Sequence, residues 1–226
     1  MTKNKIIMDI NNETFKFMKE KLYSGVLSDI LDDLGYREQA MDACIRPVVP
    51  GMKVAGKAMT ILSVDVFEMP DKPYKLELEA LDQIKEGEVL VVHTNYSTRT
   101  GFWGELLSTI AVRKGANGAV MDAYTRDAEK IIEMGFPVFT TGFKPVDSKG
   151  RSEVVDYRCQ IECGGVNISP GDIIFGDIDG IVVIPLEAAV EVINKAYEKV
   201  HGENKVRDAI LGGMGAAEVY EKYGIL

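Results

Sequence analysis

Cysteine is scarce in this 226-residue chain, histidine is scarcer, and a long apolar run is missing altogether. Three cysteines (Cys44, Cys159, Cys163) cannot all pair, and a chain this long buries a core without disulfide staples. A reducing cytoplasm is therefore the expected compartment. No stretch of 18 apolar residues occurs, so no membrane-spanning helix is expected. The opening MTKNKIIMDINNETF turns polar and acidic too soon for a secretory leader. Basic residues are outnumbered: the net charge of −9 argues against a nucleic-acid surface, which needs a basic stripe. It leaves room for an anionic small substrate held by a local arginine and helix amides.

Familiar catalytic signatures are missing too. No G-x-x-x-x-G-K-[ST] or G-x-G-x-x-G follows a strand, and there is no G-x-S-x-G. Ser24, Ser28 and Ser108 fall where helix capping or helix surface accounts for them. The C-x₃-C of Cys159 and Cys163, with only His93 and His201 elsewhere, falls short of the four ligands of a structural zinc site. Those cysteines read as small core or edge residues. The run Gly176-Asp-Ile-Asp-Gly180 lacks the closing glutamate of a calcium loop and reads as a tight turn between strands.

What is present is the texture of a mixed α/β protein. Asn11 or Asn12 caps a predicted helix over 13–21, and Ser24 caps the next, where Val26, Leu27, Ile30, Leu31 and Leu34 share a face and Gly35 stops it. Ser28, Asp29, Asp32 and Asp33 form its solvated side. From Arg46 the chain turns β-rich, with a strand over 57–64, a polar loop over 69–73, and a helical pattern at Leu76, Ala80, Leu81 and Ile84. A buried strand follows over 88–93, then a ten-residue loop over 94–103, long enough to suggest a functional role. Further along come a helix over 127–134, a strand over 136–140, and a β-only segment with strands over 153–162, 165–168, 172–175 and 181–184. A helix over 186–200, a helical stretch over 206–211, a break at Gly212-Gly213 and a short helix over 216–223 close the chain. Alternating strand and helix in the middle third signals an α/β layer.

The chain is organised around residues 101–127, GFWGELLSTIAVRKGANGAVMDAYTRD. A helix from Glu105 to Gly115 climbs roughly 16 Å, and the strand starting at Gly118 covers a similar distance in return at about 3.3 Å per residue. Packed antiparallel to the helix, that strand brings Arg126 and Asp127 level with Gly104 and Glu105. Two carboxylates, one guanidinium and the free amides of a helix N-terminus then share one small volume, suited to an anion with a metal ion. Hard oxygen ligands suit magnesium or manganese. Glu105 and Asp127 are equally what helix dipoles and N-caps favour.

These features resemble the RraA-like family, which includes 4-hydroxy-4-methyl-2-oxoglutarate aldolases, oxaloacetate decarboxylases and regulators of ribonuclease activity. The resemblance rests on an acidic residue, Glu105, followed after twenty residues by Arg126-Asp127, and on Gly104-Glu-Leu-Leu107 and Gly135-Phe-Pro-Val138. It also rests on Val26-Leu-Ser-Asp-Ile-Leu-Asp-Asp-Leu-Gly35 and on Pro170-Gly-Asp followed by Gly176-Asp-Ile-Asp-Gly-Ile-Val-Val-Ile-Pro185. It implies an α/β, three-layer β/β/α swivelling-type domain: an N-terminal helix in 1–23, a core over 24–187 and C-terminal helices over 188–226. It also implies a homotrimer or hexamer with active sites between subunits; that no membrane or nucleic-acid partner is expected follows from the charge and the lack of a long apolar run above.

Carried over by position, Asp127 is the direct Mg²⁺ (or Mn²⁺) ligand, Glu105 holds metal-bound waters, and Arg126 binds and polarises a 2-oxo acid. The amides of Gly104, Glu105, Leu106 and Leu107 grip a substrate carboxylate. A glutamate from a neighbouring subunit completes the shell, with Glu203 the candidate and Glu198 its rival. One departure is Glu105 itself, where the family's aldolases commonly have aspartate. The implied activity is a metal-dependent pyruvate aldolase or decarboxylase that releases pyruvate through a metal-stabilised enolate. Two rivals stand beside it: a Schiff-base aldolase using Lys57, and a non-catalytic regulator that binds a ribonuclease or other protein.

Overall fold

The computed structural model describes residues 7–224; the first six residues, on which the reading of the amino terminus partly rests, lie outside the described residues. Thirteen strands are described. The first seven in chain order are β1 Arg46–Pro47, β2 Val54–Asp65, β3 Glu88–His93, β4 Gly101–Trp103, β5 Gly118–Met121, β6 Tyr124–Thr125 and β7 Val138–Thr140. The rest are β8 Gly142–Phe143, β9 Ser152–Tyr157, β10 Ile161–Cys163, β11 Val166–Ile168, β12 Ile173–Asp177 and β13 Gly180–Ile184. The helices are α1 Asn12–Lys21, α2 Ser24–Asp33, α3 Lys75–Asp82, α4 Glu105–Arg113, α5 Ala128–Met134, α6 Ala189–Leu211 and α7 Ala216–Tyr223.

Eight strands make the main sheet, in the order β1-β7-β5-β3-β2-β12-β13 with β9 also paired to β2. The centre, β2-β3-β5-β7, is parallel, because α3, α4 and α5 carry the chain back between strands. Alternation along each strand then decides which side chain goes where. Val89 and Val91 of β3, Val120 of β5, Ile174 of β12 and Ile181 and Val183 of β13 point to one inner cluster, which the β10–β11 hairpin also lines. Their neighbours Leu90, Val92, Ala119 and Met121 point outward under α3, α4 and α5. Ile173, Phe175, Val182 and Ile184 point outward under α1, α2 and α6.

Residues 39–47 draw the two sheet edges together. Met41 N donates to Ile181 O at 2.9 Å and Val183 N to Gln39 O at 2.8 Å, while Arg46 and Pro47 pair with Thr140 and Phe139 on the far edge. The sheet therefore curls into a near-barrel with helices outside, the mixed α/β layering expected. The acidic turn at 176–180 is the β12–β13 hairpin, as expected.

Four sequence expectations change. The ten-residue loop ends in a strand, β4, which joins β6 and β8 in a second, all-parallel sheet. The strand over 153–162 is split at Arg158, whose φ of 54° turns the chain so that its guanidinium reaches Glu88 at 2.7 Å. The C-terminal helical stretches join into the 23-residue α6, because Glu, Lys and Arg are good helix formers and one interior Gly202 costs only about 1 kcal/mol. Ser24 is not a side-chain cap. Its amide and hydroxyl instead donate to Asp177 Oδ2 at 2.9 Å and Oδ1 at 2.7 Å, so the helix is capped by a buried carboxylate from the β12–β13 turn.

That carboxylate also accepts Asp179 N at 3.0 Å. Asp177→Ala strips three donors at once and is expected to cost about 2–3 kcal/mol in urea unfolding, well beyond Ser24→Ala.

Candidate active site

Strands β4, β6 and β8 run parallel, and the chain leaves all three at the same end. β4 leads into Gly104 and α4, β6 into Arg126, Asp127 and α5, and β8 into the loop that carries Asp147. Backbone bonds fix the register: Arg126 N donates to Trp103 O at 2.8 Å, Lys144 N to Thr125 O at 2.9 Å and Gly101 N to Val146 O at 2.8 Å. Crevices beyond the carboxyl ends of parallel strands are where such sheets bind ligands.

Gly104 is the N-cap of α4 and has no side chain to cap it. Asp127 does this from outside, its Oδ2 accepting Glu105 N at 3.3 Å. A Cβ on residue 104 would lie 2.9 Å from that oxygen and 3.3 Å from Arg126 Nε, so any side chain there would push the Asp127 carboxylate away from the helix amide. Behind it, the buried Trp103 donates Nε1–H to Ser108 Oγ at 2.8 Å, and Ser108 donates to Gly104 O at 3.0 Å. Ser108 was expected on the helix surface. It is buried because a buried indole N–H needs an acceptor.

In front lies a cavity of about 280 Å³ with Phe102, Leu107 and Ile110 on its apolar side and Tyr74, Glu77, Arg126, Asp127 and Asp147 on its polar side. Arg126 lies between two carboxylates: Nη2 is 3.2 Å from Asp147 Oδ1, and Nε is 3.8 Å from Asp127 Oδ2. Tyr74 donates its hydroxyl to Asp147 Oδ2 at 2.7 Å. Among the described residues, two of the five non-glycine residues in the left-handed region, Tyr74 (φ 65°) and Asp127 (φ 56°), stand here. Such backbone concentrates at functional sites.

The carboxyls are in different states. Partial burial pushes Asp147 up, but the Tyr74 hydrogen bond and the Arg126 charge outweigh it and hold the group below the usual range. Tyr74 is pushed up to about 12 by burial and then by Asp147. Glu77, only 8% exposed, is raised to about 7 by burial first and Asp147 second, against the pull of Arg126. The described residues give the Glu77 carboxyl no hydrogen bond.

Of the residues named from sequence, Gly104, Leu106, Leu107, Arg126 and Asp127 line this one cavity. Glu105 contributes its amide, but its carboxylate accepts Thr109 Oγ1 at 2.9 Å along its own helix and is not on the cavity wall. Glu203 lies on α6, where it accepts the Tyr23 hydroxyl of its own chain. Lys57 is half-buried on β2, away from the cavity. Among the described residues no group of three or more His, Cys, Asp or Glu could hold a metal. The donor set therefore fits an ion that takes one protein carboxylate, Asp127 at 42% side-chain exposure, and fills its shell with water and substrate, the habit of magnesium.

Tyr74, Glu77 and Asp147 were not singled out from the sequence. For Glu77 a signal existed: with Ala80, Leu81 and Ile84 it completes an i, i+3, i+4, i+7 stripe, a carboxylate on an apolar face. Asp147 sits in a polar loop with nothing local to mark it. Elsewhere the sequence left His93 unplaced. Its Nδ1 meets the buried Asp122 Oδ2 at 2.7 Å, and Thr94 N donates to the same carboxylate at 2.6 Å, tying together the ends of β3 and β5.

A family model described as "RraA-like: Aldolase/RraA" matches residues 25–183. Protein DlpA of Legionella pneumophila is 32% identical over 200 residues, 88% of this chain, and this chain spans about a third of that protein's length (32%). A protein of Halalkalibacterium halodurans named "Putative 4-hydroxy-4-methyl-2-oxoglutarate aldolase" is 28% identical, covering 86% of this chain and 87% of its own. Among solved structures, Streptomyces coelicolor RraAS2, titled an unusual member of the RNase ES inhibitor RraA protein family, superposes with a TM-score of 0.79. It is 29% identical and covers 89% of this chain and all of its own (100%).

The state of Glu77 has a consequence for stability. Its folded value near 7 lies above the ordinary 4.5, so the unfolded chain ionises first as pH rises and the folded state loses ground between those two values. Glu77→Gln is therefore expected to gain on wild type from pH 4.5 to 7 and level off above, by up to about 3 kcal/mol. Urea unfolding across that pH range measures it.

Proposed function

Because the chain belongs to the RraA-like family, we propose that it is a divalent-metal-dependent carbon–carbon lyase acting on a 2-oxo acid to release pyruvate. The observation that carries this reading is the meeting of Arg126, Asp127 and the Asp127-capped N-terminus of α4 in one partly apolar cavity. Magnesium or manganese held by Asp127 supplies Lewis acidity at the substrate's keto group when bound. Arg126, anchored by Asp147, keeps its guanidinium beside Asp127 and faces the developing oxyanion. The N–H groups of residues 104–107 other than that of Glu105, which Asp127 holds, take the substrate carboxylate at the positive end of a helix.

Glu105 serves through water, which requires its carboxylate to leave Thr109. Glu203 of a neighbouring copy serves likewise, in a trimer or hexamer working in the cytoplasm. Two leucines at the cavity mouth, Leu106 (70% exposed) and Leu78 (51%), support a second subunit covering it. The likeness to RraAS2 favours a second reading, a regulator acting through protein contacts. It leaves the cavity chemistry without a task.

Purified protein supplied with magnesium is expected to cleave oxaloacetate or 4-hydroxy-4-methyl-2-oxoglutarate, to lose activity to a chelator, and to resist borohydride trapping. Arg126→Ala should lower kcat by about 10²–10³, and Asp127→Ala should abolish turnover while the oligomer persists. A metal-loaded protein inert toward a panel of 2-oxo acids supports the regulator instead.

A further inference from the structure

We propose that Glu77 is the proton carrier of this site, taking the substrate's hydroxyl proton in aldol cleavage and delivering a proton to carbon in both cleavage and decarboxylation. This rests on the lyase reading above. Breaking the carbon–carbon bond leaves its electron pair on the pyruvate fragment as an enolate, and that carbon must gain a proton to become the methyl group. In aldol cleavage the ledger closes on one carboxyl. Glu77 carboxylate removes the hydroxyl proton, the bond breaks as the new carbonyl forms, and the Glu77 acid hands the same proton to the enolate carbon. In decarboxylation carbon dioxide leaves and no hydroxyl proton is released, so Glu77 must begin protonated and recover its proton from solvent.

Elimination and position both select it. Asp147 is committed to Arg126 and Tyr74, and Tyr74 is held by Asp147 and titrates too high to give or take protons near neutrality. Asp127 caps α4 and is reserved for the cation. Glu77 is over nine-tenths buried, lines the same cavity and has no hydrogen-bond partner among the described residues. The cavity it lines has Leu78, Phe102, Leu107 and Ile110 beside its polar groups, and burial of the Glu77 carboxyl there brings it into the range where a carboxyl transfers protons near neutral pH. Charged groups on the elements packed against α3 are Glu153 and Asp156 of β9 and Glu105 and Arg113 of α4. Those that act on Glu77 are Asp147, raising it, and Arg126, lowering it, so before a cation binds it crosses between acid and base near pH 7.

The two reactions should therefore have opposite pH limbs. Decarboxylation of oxaloacetate falls as pH rises through the Glu77 titration, which the bound cation moves below its metal-free position, whereas aldol cleavage rises through the same point. E77Q should lose about 10²–10⁴-fold in kcat for both with KM little changed, and both limbs should vanish. Independently of turnover, ¹³C NMR of metal-free protein labelled at the glutamate side-chain carboxyl should show one resonance titrating near pH 7 that is missing in E77Q. An active wild type whose E77Q variant keeps wild-type kcat and pH limbs overturns the role of Glu77 and leaves the lyase intact. A glutamate resonance at this site titrating below pH 5.5 overturns it as well. A wild type inert toward every 2-oxo acid overturns the lyase reading itself, and Glu77 falls with it.

Discussion

The site depends on one contact, the carboxylate of Asp127 against the amide of Glu105. It joins the start of α5 to the start of α4, and it requires a backbone in the left-handed region at 127 and the absence of a side chain at 104. Aspartate tolerates that backbone better than most residues, because its short polar chain can bond locally. Once Asp127 is fixed there, Arg126 is held beside it, since its amide is committed to Trp103 O and its guanidinium to Asp147. Capping and function use different demands on the same carboxylate: one oxygen accepts the amide, and the half-exposed group still faces the cavity.

That contact exists because of how the near-barrel ends. Strict alternation in β3, β5, β12 and β13 sends one set of side chains to the inner cluster and the other under the helices. Parallel strands built this way finish together. The short strands β4, β6 and β8 extend the same order beyond the main sheet, and each delivers a functional loop to the same end.

Short apolar runs and helical periodicity made the main sheet and most helices legible in the sequence: the strand at 88–93 and the helix at 216–223 have the bounds the pattern gave. The second sheet was not legible, because strands of two or three residues carry no periodicity and are defined only by their partners. Ser24 and Ser108 misled for a related reason. A hydroxyl near a helix start reads as a cap or as surface until the buried Asp177 or Trp103 that claims it is brought in by tertiary packing. Arg126, Asp127 and the glycine-led helix were legible because turn and strand lengths in a 27-residue unit fix their return. Asp147 was not, since its role comes from a loop entered through β8.

Charge arithmetic ties the polar wall together. Asp127 and Asp147 contribute two negative charges and Arg126 one positive, so with Glu77 neutral the wall carries about one negative charge before any ligand arrives. Such a wall repels a 2-oxo dicarboxylate, and the helix dipole of α4 offsets only about half a charge. A divalent cation reverses the sign, which is why the proposed chemistry is coupled to one. The same arithmetic bears on Glu77: its neutrality keeps the wall from gaining a third carboxylate, and adding positive charge would draw it toward ionisation. Within the lyase reading, loading the cation and readying the base are therefore one electrostatic event.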